Sequence, residues 1–137
     1  MKKILIVDDS AFMRNVLKEV ITNNTDITKL DSVEVFEADN KKKALAIAKK
    51  ENPDIVLLDI VMQESDMEGV EFIMEANEFF DLTRIIMVSS ISHTDILDTC
   101  KNLGVKYYIQ KPFVESEVIE SVKKLIEFNG HVGATTP

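Results

Sequence analysis

Ile4-Leu5-Ile6-Val7-Asp8-Asp9-Ser10 decides the fold: four apolar residues run without a break into two acids and a hydroxyl. A strand with one face in water alternates apolar and polar side chains, whereas a short run that is apolar throughout and rich in β-branched residues fits a strand covered on both faces, as in a parallel sheet. Three further runs have the same character, Ile55 to Leu58, Ile85 to Val88 and Tyr107 to Ile109. Val33-Glu34-Val35 alternates before Phe36 and reads as a less buried edge strand. Five strands are therefore predicted.

The segments between them carry helical spacing. Met13, Val16, Leu17, Val20 and Ile21 recur at intervals of three and four behind Ser10, a plausible N-cap. Ala44, Ile47 and Ala48 mark a second helix, stopped before Pro53, and Val70, Ile73 and Met74 a third. Ile96, Cys100 and Leu103 mark a fourth, with Gly104 where a left-handed cap is expected. Val118, Val122, Leu125 and Ile126 mark a fifth that is expected to end near Asn129-Gly130. Strand and helix alternate five times, and handedness and connection rules turn such a pattern into an α/β doubly wound parallel sheet with helices on both faces. Residues 1–128 read as one domain and residues 129–137 as a short, small and polar tail.

The totals agree with one soluble unit. The chain has 137 residues, 45% apolar and 29% charged, long enough to enclose a core without metal or disulfide staples. With 16 basic and 24 acidic side chains the formal charge is −8, which repels nucleic acid backbones and anionic lipid. Cys100 cannot form an internal disulfide and reads as a buried small hydrophobe. No run approaches membrane-span length, and Met1-Lys2-Lys3 with its short apolar run lacks the features of a signal peptide, so a cytoplasmic location is expected. Lys41-Lys42-Lys43 reads as a solvated helix start.

In a doubly wound sheet, functional groups gather beyond the carboxyl ends of the strands. After the first run come Asp8, Asp9 and Ser10; after the third strand, Asp59; after the fourth, Ser89 and Ser90; after the fifth, Lys111 and Pro112. Three carboxylates and one ammonium on a common rim leave about two negative charges uncompensated in a partly desolvated cleft. A hard dication neutralises them, and Mg²⁺ suits few carboxylates because it keeps several waters. A narrower reading leaves Asp8 and Asp9 as caps of the first helix.

The stretches 4–10, Asp54-Ile55-Val56-Leu57-Leu58-Asp59, Ile86-Met87-Val88-Ser89-Ser90 and Tyr108-Ile109-Gln110-Lys111-Pro112-Phe113 together resemble, in order and spacing, the four motifs of the CheY-like receiver domains of two-component response regulators, a family that includes chemotaxis regulators. The resemblance implies a strand order of 2-1-3-4-5. It also implies that Asp59 accepts a phosphoryl group from the phosphohistidine of a sensor histidine kinase or phosphotransfer protein. Asp9, Asp59 and the Val61 carbonyl would bind Mg²⁺ directly and Asp8 through water; Lys111 would pair with a phosphoryl oxygen, its bond to Pro112 being cis. Ser89 and Tyr108 would report the change to an output face on the fourth helix, fifth strand and fifth helix, including Lys106, Tyr107 and Gln110. A monomer or a phosphorylation-dependent dimer is expected, self-phosphorylating and only slowly losing the group, and not otherwise an enzyme.

Some residues depart from that pattern. Gln63 stands where receivers often have proline, and Gln63-Glu64-Ser65-Asp66-Met67-Glu68-Gly69 runs about two residues long; the segment from Asn24 to Ser32 is also longer than the common pattern. The resemblance implies that the residues two beyond Asp59 and two beyond Ser89 flank the path of the hydrolytic water; here they are Val61 and Ile91, neither of which can hydrogen-bond it, which predicts a long-lived phosphoryl group. His93 and His131 read as surface histidines. A flavodoxin-like cofactor binder would need a Ser, Thr and Gly phosphate cradle where Asp8-Asp9 stand. A magnesium-dependent aspartyl-nucleophile phosphatase would need an acid at Val61. A receiver-fold docking module that takes no phosphate keeps the fold and gives no reason for the five polar rim residues.

Overall fold

The computed structural model describes residues 1–62, 68–90 and 94–135, with side chains through residue 127. The expected strands are β1 (Lys2–Val7), β2 (Val33–Ala38), β3 (Ile55–Leu58), β4 (Ile85–Ser89) and β5 (Tyr107–Gln110). They pair in parallel in the order β2-β1-β3-β4-β5, the doubly wound arrangement expected above. Successive side chains of a strand point to opposite faces, so the unbroken apolar runs feed two cores. Leu5, Val7, Val56, Leu58 and Met87 pack on one face, and Ile4, Ile6, Ile55, Leu57, Ile86, Val88 and Ile109 on the other.

The helices are α1 (Ala11–Thr22), α2 (Thr25–Leu30), α3 (Lys41–Glu51), α4 (Glu68–Ala76), α5 (Thr94–Leu103) and α6 (Glu115–Thr135). Side chains of α3, α4 and α5 cover the first core, and those of α1, α2 and α6 the second. Ser10 caps α1 as predicted, its hydroxyl accepting from Met13 N at 3.1 Å. Gly104 ends α5 at a φ of 126°, a backbone angle that side chains other than glycine's disfavour. Cys100 is fully buried, and burial raises its thiol pKa.

Two elements differ from expectation. The long connection from Asn24 to Ser32 folds into α2, whose Asn24 side chain accepts from Ile27 N at 3.0 Å while Ile27 is fully buried. The last helix does not stop near Asn129-Gly130 but runs to Thr135, so the boundary at residue 128 falls inside α6. A glycine halts a helix when it takes a left-handed conformation, as Gly104 does; within a helix it costs only about 1 kcal/mol relative to alanine. Residues Gln63 to Met67 of the long acidic loop, Ile91, His93 and the side chain of His131 lie outside the described residues.

Candidate functional site

The parallel ladder continues one rung past each strand and hangs the site from it. Asp8 N donates to Ala38 O at 3.1 Å, Asp59 N to Val7 O at 2.9 Å, and Lys111 N to Ser89 O at 2.9 Å. Asp8 is thereby tied to β2, Asp59 to β1 and Lys111 to β4, and the predicted residues from separate stretches meet on one rim. One carboxylate oxygen from each of Asp8, Asp9 and Asp59 lies within 4.8 Å of the others. Asp8 and Asp59 are buried, and Asp9 is the more accessible.

Lys111 is the cation of this cluster. Its Nζ is 2.7 Å from Asp8 Oδ2 and 3.4 Å from Asp59 Oδ2, and its peptide bond to Pro112 is cis. Asp59 Oδ1 accepts from the Ser89 hydroxyl at 2.9 Å and from Val61 N at 3.1 Å. Ser89 is fully buried and Ser90 exposed, so the alternative register that would bring Ser90 to the site is excluded. The Tyr108 ring is half-buried and its hydroxyl donates to Ser89 O at 3.3 Å.

Capping does not account for the acidic pair, because Ser10 already caps α1 and Asp8 Oδ1 accepts from Ser10 N at 2.9 Å. Both oxygens of Asp8 are thus engaged, whereas Asp9 makes no ion pair among the described residues. Burial raises the Asp59 pKa, opposed by the Lys111 charge; the Asp8 charge adds to the rise, and the hydrogen bonds from Ser89 and Val61 oppose it. A group that is costly to ionise where it lies, beside two further carboxylates and one ammonium, suits an added dication, and three hard oxygen donors can hold one.

Three supporting residues stand outside the predicted site, and of these only Gly69, the glycine at the start of the third predicted helix, carries a signal in the sequence. Arg14 Nη1 donates to Asp8 O at 2.7 Å while its Nε pairs with Glu37 at 3.1 Å, bracing the acidic turn from α1. Glu68, buried, accepts from Lys41 N at 2.8 Å and ties α4 to the start of α3. Gly69 N donates to Ile60 O at 3.1 Å, and a Cβ at Gly69 would lie 2.5 Å from Ile60 Cα, so α4 is seated directly on the turn after Asp59.

A parallel sheet of order 2-1-3-4-5 with aspartates beyond β1 and β3, a hydroxyl at the end of β4 and a lysine beyond β5 is a switch domain of the receiver class. The chain belongs to the response regulator receiver domain family, which matches residues 4–123. It is 36% identical over 124 residues to the chemotaxis protein CheY of Thermotoga maritima, covering 90% of this chain and 97% of that protein. It is 34% identical over 125 residues to the sporulation initiation phosphotransferase F of Bacillus subtilis, covering 91% and 94%. A crystal structure of a CheY-like response regulator receiver domain protein from Methanospirillum hungatei superposes with a TM-score of 0.82 at 26% identity, over 97% of this chain and 99% of that one.

Proposed function

We propose that the chain is the phosphoacceptor of a two-component pathway, taking a phosphoryl group on Asp59 from the phosphohistidine of a sensor histidine kinase or phosphotransfer protein. The observation that carries this reading is the meeting of Asp8, Asp9 and Asp59 within 4.8 Å, with Lys111 Nζ reaching two of them. In the transfer an oxygen of the Asp59 carboxylate attacks phosphorus, the O–P bond forms as the N–P bond of the donor breaks, and the imidazole leaves with the electron pair. Such chemistry depends on positioning and on charge neutralisation.

Mg²⁺ fits the donor set, and when bound it would supply charge neutralisation on the phosphoryl oxygens. Asp9, Asp59 and the Val61 carbonyl would hold it directly; Asp8, with both oxygens already engaged, would act through water. Lys111 would exchange its Asp59 contact for a phosphoryl oxygen. The Ser89 hydroxyl, now donating to Asp59, would donate to the phosphoryl group instead, and Tyr108 would feel that movement through its hydrogen bond to Ser89 O. A local charge change thus biases a packing choice beside α5, β5 and α6. Lys106 and Gln110 are exposed there and Tyr107 half-buried, a face for an output partner.

The same chemistry admits small phosphodonors and slow loss of the group, without turnover of another substrate. Among the described residues no helix is long and apolar enough to cross a membrane; the proposed kinase partnership places the domain in the cytoplasm. Incubation with acetyl phosphate and Mg²⁺, followed by intact mass, is expected to add one phosphoryl group to the wild type and none to Asp59→Asn or to the wild type in EDTA. An unmodified wild type would instead mark a docking module with a receiver fold.

A further inference from the structure

The α3–α4 side of the molecule is distinct from the α5–β5–α6 face, and it leaves large apolar surface open. Met74 is 56% exposed and Phe79 39%. Together with Leu45 they line a groove of about 480 Å³ whose other walls are Lys49, Glu75 and Glu78. Open apolar surface rimmed by charge marks an interaction site more often than bare surface does.

The charges on this side are ordered. On α3, Lys42, Leu45 and Lys49 follow at intervals of three and four and share one face. On α4, Met74 and Glu75 lie three and four residues after Glu71 and share its side of the helix, and Glu78 follows in the turn after it. A basic stripe with an apolar centre thus lies beside an acidic stripe with an apolar centre. Lys41 bridges them at one end, 2.8 Å from Glu75 and 3.7 Å from Glu71. Farther along, Lys49 lies over the Phe79 ring at 5.4 Å, and among the described residues Lys42, Lys49 and Glu78 make no ion pair. On a chain of net charge −8 this side is balanced, three lysines against three glutamates.

We propose that a second copy of the chain docks on this face, in a two-fold arrangement that lays α3 of each copy along α4 of the other. A two-fold interface uses the same patch twice and must complement itself. Here apolar centre meets apolar centre, covering Met74 and Phe79, while each basic stripe meets an acidic one. A wholly basic partner would be opposed by the lysines and a wholly acidic one by the glutamates, so the pattern of signs fits itself better than either. The proposal is independent of the chemistry at Asp59.

Sedimentation velocity of the full chain from about 5 µM to about 500 µM tests it. The wild type is expected to move from monomer to dimer across that range. Lys42→Glu/Lys49→Glu and Glu71→Lys/Glu78→Lys, each confirmed folded by circular dichroism, are each expected to weaken the dimer at least about tenfold. An equimolar mixture of the two is expected to dimerise again, since the reversed, acidic stripe on α3 of one then meets the reversed, basic stripe on α4 of the other. A wild type that stays monomeric throughout, a dimer untouched by either reversal, or a mixture that fails to recover would overturn the proposal.

Discussion

At the scale of single residues, the site gathers three carboxylates around one ammonium, so its groups are hydrogen-bonded while its charge is not balanced. The Asp59 carboxyl is held above the ordinary carboxylate range by burial, with Asp8 adding to the effect and Lys111 opposing it. A raised folded-state pKa contributes stability that is complete below the unfolded-state value, about 3.9, and is lost as pH rises through the folded value. Ionised Asp59 is therefore a cost at neutral pH. Asp59→Asn is expected to raise the denaturation midpoint of the metal-free protein near pH 7, with the advantage shrinking as pH falls and the wild-type carboxyl takes up its proton. Urea titrations at both ends of that window measure it, and a less stable Asn variant at neutral pH contradicts it. Mg²⁺ is expected to stabilise the wild type and to do much less for the variant. Asp8, Asp9, Asp59, Ser89 and Lys111 were legible in the sequence because each stands at or just beyond the end of an apolar run. Arg14 and Glu68 were not, because their acceptor and donor are backbone atoms, Asp8 O and Lys41 N, which no side-chain pattern records.

At the scale of elements, burial decided what could be read. The strands announced themselves because both faces are covered, leaving no polar residue within Ile4 to Val7 or Ile55 to Leu58. Six residues of α2 make fewer than two turns and bury one side chain, too little for a periodic signal. That one side chain matters: Ile27→Ala is expected to lower stability by about 2–4 kcal/mol in chemical denaturation while leaving acetyl phosphate labelling intact in the folded protein. An effect below about 0.5 kcal/mol would show that α2 is an appendage. Gly69→Ala is expected to cost about 2–3 kcal/mol and to slow labelling of Asp59, because its Cβ, 2.5 Å from Ile60 Cα and 2.8 Å from Asp59 O, must push backbone aside. Unchanged labelling kinetics would show that the displacement is absorbed by α4 alone. The end of α6 was misjudged for the opposite reason, since Asn129-Gly130 has the residues of a stop but adopts helical backbone.

At the scale of the whole molecule, the lifetime of the signal depends on what lies around the cluster. The Val61 side chain is half-buried and packs against the first core, offering no hydrogen bond to a hydrolytic water. The purified phosphoprotein is therefore expected to retain its group for minutes or longer in Mg²⁺, and Val61→Asn to shorten that time; loss within seconds in the wild type would refute the idea. The rungs from Asp8 to Ala38, Asp59 to Val7 and Lys111 to Ser89 join each of these residues to the strand beside its own. Most solvent-facing helix positions take no part in that suspension. Substitutions accumulating there can exchange one set of binding partners for another while the reactive geometry stays fixed, so lineages built on this architecture can diversify their wiring without reinventing their chemistry.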